Sequence, residues 1–87
     1  MIGIDRIDDH IWKVKYYLIR KHGCGQADLF ISPLTWYIGT SRASVEFLKK
    51  FLNARPYMIG RLLVKSELNT GTYDGAITAL KQYLNVE

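Results

Sequence analysis

Cys24, with His22 or His10, is the only arrangement in this chain that approaches a nucleophilic site. A thiolate nucleophile needs a base within hydrogen-bond reach and surroundings that lower its pKa. His22 and Cys24 stand two apart across a glycine, a poor spacing for mutual contact, and no orienting partner is evident. Cys24 therefore reads as a turn residue. One Cys and two His also fall short of the four clustered ligands that structural zinc takes. Asp5, Asp8 and Asp9 lack the spacing and closing Glu of a calcium loop and read as an acidic N-terminal turn. The stretch NTGTYDG at 69–75 offers backbone amides ahead of a helix, where phosphate binds. It has neither the Lys of a phosphate loop nor the spaced glycines of a dinucleotide fingerprint, and helix capping accounts for it. No acid–base pair or activated nucleophile emerges. The expectation is a chain that is not an enzyme and carries no cofactor or metal.

Charge gives the stronger signal. The net charge of +4 is concentrated in two blocks. Residues 10–22 hold Lys13, Lys15, Arg20 and Lys21 with no acid, and residues 41–65 hold Arg42, Lys49, Lys50, Arg55, Arg61 and Lys65 against Glu46. Such blocks suit a polyanion or an acidic protein surface. In IWKVKYYLIRK (11–21) an alternating reading puts Lys13, Lys15, Tyr17 and Lys21 on one face and Trp12, Val14, Tyr16, Leu18 and Arg20 on the other. Lys side chains neutralise phosphates, and Tyr17 offers a ring to a base or sugar. Arg42, Lys49 and Lys50 extend that field if the helix that bears them lies alongside.

The elements expected to position these residues form an α+β domain of order β-β-β-α-β-α, with an antiparallel-rich sheet of three to four strands and two helices on one face. The first strand is 11–21, with a short extra strand at Ile2–Ile7 as an optional addition to this order. Residues 22–26 turn it back into a strand at 27–32, which Pro33 ends because it cannot donate to a sheet ladder. The third strand runs from Leu34 or Thr35 to Gly39, since Leu34, Trp36 and Ile38 alternate with Thr35, Tyr37 and Gly39. Thr40 or Ser41 caps a helix in which Glu46 precedes Lys50 by four, the favourable order for an ion pair. Asn53 closes that helix in a left-handed conformation, and Pro56 prevents its resumption. Tyr57–Ser66 reads as a fourth strand or a short helix. A last helix, capped at Thr72 and with Asp74 in its first turn, carries Tyr73, Ile77, Leu80 and Leu84 as its apolar stripe. Val45, Leu48, Leu52, Ile77, Leu80 and Leu84 are expected to be buried.

Three strands followed by a helix resemble the plan of small DNA-binding domains of the AP2 and integrase arm-binding kind. Separately, TWYIGTSRASVEFLKKFL is similar to the strand–helix phrase inside LAGLIDADG endonuclease halves, although their acidic, metal-binding helix end is absent here.

Size and location follow from composition. Eighty-seven residues make one domain, with no room for two lobes around a cleft. A single cysteine excludes an intrachain disulfide. No signal-like segment or membrane-length apolar run is present, so the chain reads as soluble and cytoplasmic, with no membrane partner. Two Trp, six Tyr and three Phe exceed what so small a core needs. They point to a homodimer through strand edges or an aromatic patch. The expected function is a small binding module that contacts nucleic acid through the basic-aromatic face of 11–21. The alternative is a protein-interaction module, a regulator or inhibitor of phage or mobile-element type, acting through exposed aromatics.

Overall fold

Charge order along the first element is that of a helix. In the computed structural model, which describes residues 3–70 and 73–86 and the side chains of these except 4, 67–70, 73 and 74, residues Ile4–His22 form α1. Asp5 lies in its first turn and Arg20, Lys21 and His22 in its last, where the helix dipole favours each sign. Asp9 and Lys13 pair at 3.1 Å one turn apart. Ile7, Val14 and Leu18 are buried, with Ile11 half-buried beside them. This four-three-four spacing is the stripe of a core-facing helix.

The remaining elements are also helical: α2 (Cys24–Gly39), α3 (Val45–Asn53), α4 (Pro56–Thr70) and α5 (Tyr73–Leu84). No strand occurs among the described residues, so the α+β expectation is overturned, and both resemblances built on a strand leading into a helix fall with it. The strand-edge route to a homodimer goes too, leaving exposed aromatics as its only basis. The physical reason is a coincidence of periods. Val14 and Leu18 satisfy alternation with Trp12 and Tyr16, but they also complete the helical series begun at Ile7 and Ile11, and the latter series is the one that is buried. Trp12 and Tyr16 are 56% and 52% exposed.

Two hairpins, α1–α2 and α4–α5, pack together, and α3 lies against α1 and α5. Gly23 alone joins α1 to α2, at φ 90° and ψ 161°. That backbone region is open essentially to glycine. Pro33 sits buried inside α2, one turn beyond Leu29, whose carbonyl loses its helical partner there. Ser32 and Thr35 donate their hydroxyls to the carbonyls of Asp28 and Ile31 on either side of that break.

The caps differ from those expected. Thr40 and Ser41 end α2 instead of starting α3. Ser41 takes φ 61°, with Ser41 N–H donating to the Ile38 carbonyl at 3.1 Å and Arg42 N–H to that of Tyr37 at 3.2 Å. This is a Schellman closure with serine in the place glycine usually takes. Ser44 caps α3, its hydroxyl accepting from Phe47 N–H at 3.1 Å. Starting α3 there turns Phe47 and Phe51 inward, their rings stacked with centroids 6.2 Å apart. Val45 is 63% exposed and Leu48 and Leu52 are only half-buried, contrary to expectation, whereas Ile77, Leu80 and Leu84 are buried as expected. Asn53 lies inside α3, which closes through extended Ala54, and Pro56 opens α4 at a first-turn position that needs no N–H. Asn69 and Thr70 belong to α4. The cap at Thr72, the side chains of Tyr73 and Asp74, and Ile2 of the short strand lie outside the described residues. The segment from 4 to 7 is the start of α1.

Gly60 sets the distance between α1 and α4. A Cβ at this buried position would lie 2.6 Å from Tyr17 Cδ2, 3.0 Å from Cε2 and 3.4 Å from Leu18 Cδ2. The two irregular positions therefore respond oppositely to substitution. Gly60→Ala gains about 1 kcal/mol of helix propensity but faces an overpacking cost of about 1–3 kcal/mol, so the net expected change is a loss. Ser41→Gly relieves a left-handed cost of about 1–2 kcal/mol against about 0.5–1 kcal/mol of added unfolded-chain entropy, so the net is a gain of about 0.5–1 kcal/mol. Urea midpoints of the two variants on either side of the wild type check both signs.

Candidate functional site

Helical geometry regroups the cations. On a helix Lys13, Tyr17 and Lys21 fall at i, i+4 and i+8, on one stripe, whereas Lys15 turns to the other side. There Lys15 pairs with Asp28 of α2 at 3.1 Å. Arg42 lies with its guanidinium over the Trp36 ring at 5.0 Å. Lys49 is exposed on α3, and Lys50 binds Glu46 at 3.4 Å and the Asn85 carbonyl at 2.9 Å, at the C-terminal end of α5. The seven expected contact residues are thus divided. Lys13, Tyr17 and Lys21 stay together; Lys15, Arg42 and Lys50 are engaged by other partners, and Lys49 stands exposed on α3.

A second stripe lies beside the first. On α4, Tyr57, Arg61 and Lys65 also stand at i, i+4 and i+8, and all three are exposed. Tyr17 and Tyr57 meet across the helix pair with ring centroids 6.5 Å apart, directly above the contact that Gly60 permits. Contacts ascend together along the two helices: His10 with Ala54, Lys13 near Pro56, Tyr17 with Tyr57 and Gly60. The helices therefore run in the same direction, and the two stripes flank one seam. Lys13, Tyr16, Tyr17, Arg20 and Lys21 line an open recess of about 370 Å³ on its α1 side. Arg6 and Arg55 join Lys13 and its ion-pair partner Asp9 around a recess of about 400 Å³ at its lower end. Among the described residues, no carboxylate forms an ion pair with Arg6, Arg20, Lys21, Arg55, Arg61 or Lys65.

No family model, curated protein or solved structure matches this chain. Tyr57, Arg61, Lys65 and Arg20 were missing from the contact residues expected from sequence. Their signal was the four-residue spacing of Tyr57, Arg61 and Lys65, hidden when 57–66 is taken as a strand.

The chemistry of the other candidates is accounted for locally. Cys24 is exposed at the start of α2, and His22 sets its ring edge-on to Phe30 at 5.4 Å. Among the described residues no three His, Cys, Asp or Glu side chains gather as metal ligands do. No helix among them is long and apolar enough to cross a membrane.

His10 closes the base of the seam. Its Nε2 lies 3.0 Å from the Ala54 carbonyl, which can only accept, so Nε2 carries the proton in this contact. The ring meets Phe51 edge-on at 4.8 Å. Burial pulls the imidazole below its ordinary value; the Ala54 carbonyl and Asp9 oppose that shift and Lys13 adds to it. A histidine lowered in the folded state contributes stability at neutral pH. That stability is lost as pH falls below the ordinary value of about 6.5 and through the lowered one, because the unfolded chain takes up the proton first. His10→Gln keeps an amide donor near Nε2 without titrating. Thermal midpoints of the wild type are expected to fall across this window more steeply than those of the variant, and parallel curves would refute the assignment.

Proposed function

We propose that this chain is a small non-catalytic binding module that holds a nucleic-acid backbone along the α1–α4 seam. One observation carries the reading: two stripes of identical spacing, Lys13–Tyr17–Lys21 and Tyr57–Arg61–Lys65, flank a single line where the helices touch. Successive members of a stripe rise about 6 Å along the helix axis, so each stripe offers a run of charge rather than a point. Cations on both sides of a line attract a linear polyanion, whose condensed counterions are released as its phosphates are neutralised. The Tyr ring within each stripe adds sequence-tolerant contact with bases or sugars. The acidic start of α1, with Asp5 and Asp8 exposed, repels phosphate and confines the track to the later turns of that helix.

A protein partner with an acidic surface is the second reading, favoured by Trp12 and Trp36, which are about half exposed away from the seam stripes. Such aromatics anchor protein interfaces. The two readings differ in their response to salt, since an aromatic-anchored interface is far less sensitive to it than phosphate binding.

Fluorescence anisotropy with labelled oligonucleotides tests the proposal. Binding of the wild type is expected to weaken steeply between about 50 and 200 mM salt. Lys21→Ala and Arg61→Ala should each lower the log–log salt slope by about one and weaken binding on any sequence. Lys15→Ala and Lys50→Ala, whose cations are engaged elsewhere, should leave both unchanged. Absence of salt-sensitive binding by the wild type to either DNA or RNA would refute the reading.

A further inference from the structure

We infer that the seam takes a single nucleic-acid strand, with a base stacked on Tyr57, in preference to a duplex. The inference rests on the phosphate-binding reading above and adds the class of ligand. Three observations carry it. First, each stripe carries an aromatic ring among its cations, and the two rings face each other: Tyr17 and Tyr57 meet at 6.5 Å over the line of helix contact. A strand whose phosphates follow one stripe turns its bases toward that line. Second, the two rings differ in availability. Tyr17 is half-buried against Gly60, whereas Tyr57 is 41% exposed and offers a ring to the solvent. Stacking on such a ring needs the face of a base, which a duplex keeps within its own stack and a single strand presents.

The third observation concerns the shape a duplex would require. A helix that enters the major groove has phosphates along both of its flanks, over a groove about 12 Å wide. Along α1 that contact would bring exposed Asp5 and Asp8 toward phosphate as well as Arg20 and Lys21. The cations that α4 adds, Arg61 and Lys65, lie on a neighbouring helix whose axis is about 8–10 Å away, given helix packing. That separation suits one backbone lying across the seam better than the two backbones of a groove.

The experiment compares fluorescein-labelled oligo(dT) of about 15 nucleotides, within the site size typical of single-strand binders, with a mixed-sequence duplex of equal length. Both are titrated at low and moderate salt. The expected result is tighter binding of the single strand by about tenfold or more. Tyr57→Leu, which keeps an apolar side chain but removes the aromatic face, should weaken single-strand binding about 5- to 100-fold with little change in salt slope. Tyr57→Phe should retain wild-type affinity, because stacking uses the ring and not the hydroxyl. Equal, salt-sensitive affinity for both ligands, or a Tyr57→Leu variant that binds the single strand like the wild type, overturns this inference and leaves the phosphate track standing. Failure of both ligands to bind with salt dependence overturns the track itself. The single-strand preference of the unmodified chain decides the matter even where a variant does not fold.

Discussion

The close approach of α1 and α4 at Gly60 is the constraint on which the rest of this structure depends. Any side chain at position 60 would meet the Tyr17 ring, so the hydrogen there is what lets two helices from different hairpins lie against each other. That contact places Tyr17 beside Tyr57, sets the two cationic stripes one turn out of step, and brings the start of α4 near enough for His10 to donate to Ala54. Each consequence is local and weak. Their common dependence on one missing methyl group makes the seam a property of the packing, not of the individual surface residues.

Three helix ends are closed by backbone geometry that side chains resist. Gly23, Ser41 and Asn85 all take positive φ, at the ends of α1, α2 and α5. Asn85 repeats the closure seen at Ser41: Asn85 N–H donates to the Gln82 carbonyl at 3.2 Å and Val86 N–H to that of Lys81 at 2.9 Å. Val86 then folds back into the core. Lys50 reaches across from α3 to the Asn85 carbonyl, so a cation meets the negative end of the α5 dipole while linking the shortest helix to the last. The charge that makes Lys50 look available in the sequence is engaged in holding the fold together.

How much of this was legible depends on how each segment's periods overlap. The last two turns of α3 and the stripe of α5 were readable, because Phe47, Phe51, Ile77, Leu80 and Leu84 fit a helix and no strand pattern. Even there, two apolar stripes lie side by side on α3, and the inferred buried face fell on Val45, Leu48 and Leu52 whereas the core takes Phe47 and Phe51. In α1 the alternating residues of 11–21 concealed a helical stripe whose first member, Ile7, precedes that stretch. Pro33, taken as the end of a strand, and Gly60, which weakens a strand or a helix over 57–66 alike, sit buried inside helices where neighbouring packing outweighs their intrinsic preferences. Part of the candidate site survived because positions 13, 17 and 21 share a face under either period. Lys15 did not, since two residues along a helix is more than half a turn.

Trp12 and Trp36 stand on the outside of the molecule, 56% and 49% exposed, while the aromatic core is built from Tyr37, Phe47 and Phe51. The usual optical signature of a folded small domain is thereby inverted. Indole emission here comes from rings already in contact with water, so it reports the state of the protein's skin and changes little when the interior melts. Cooperative unfolding is visible instead in the far-ultraviolet signal of the backbone, and a shift in tryptophan emission at constant helix content marks something arriving at the surface.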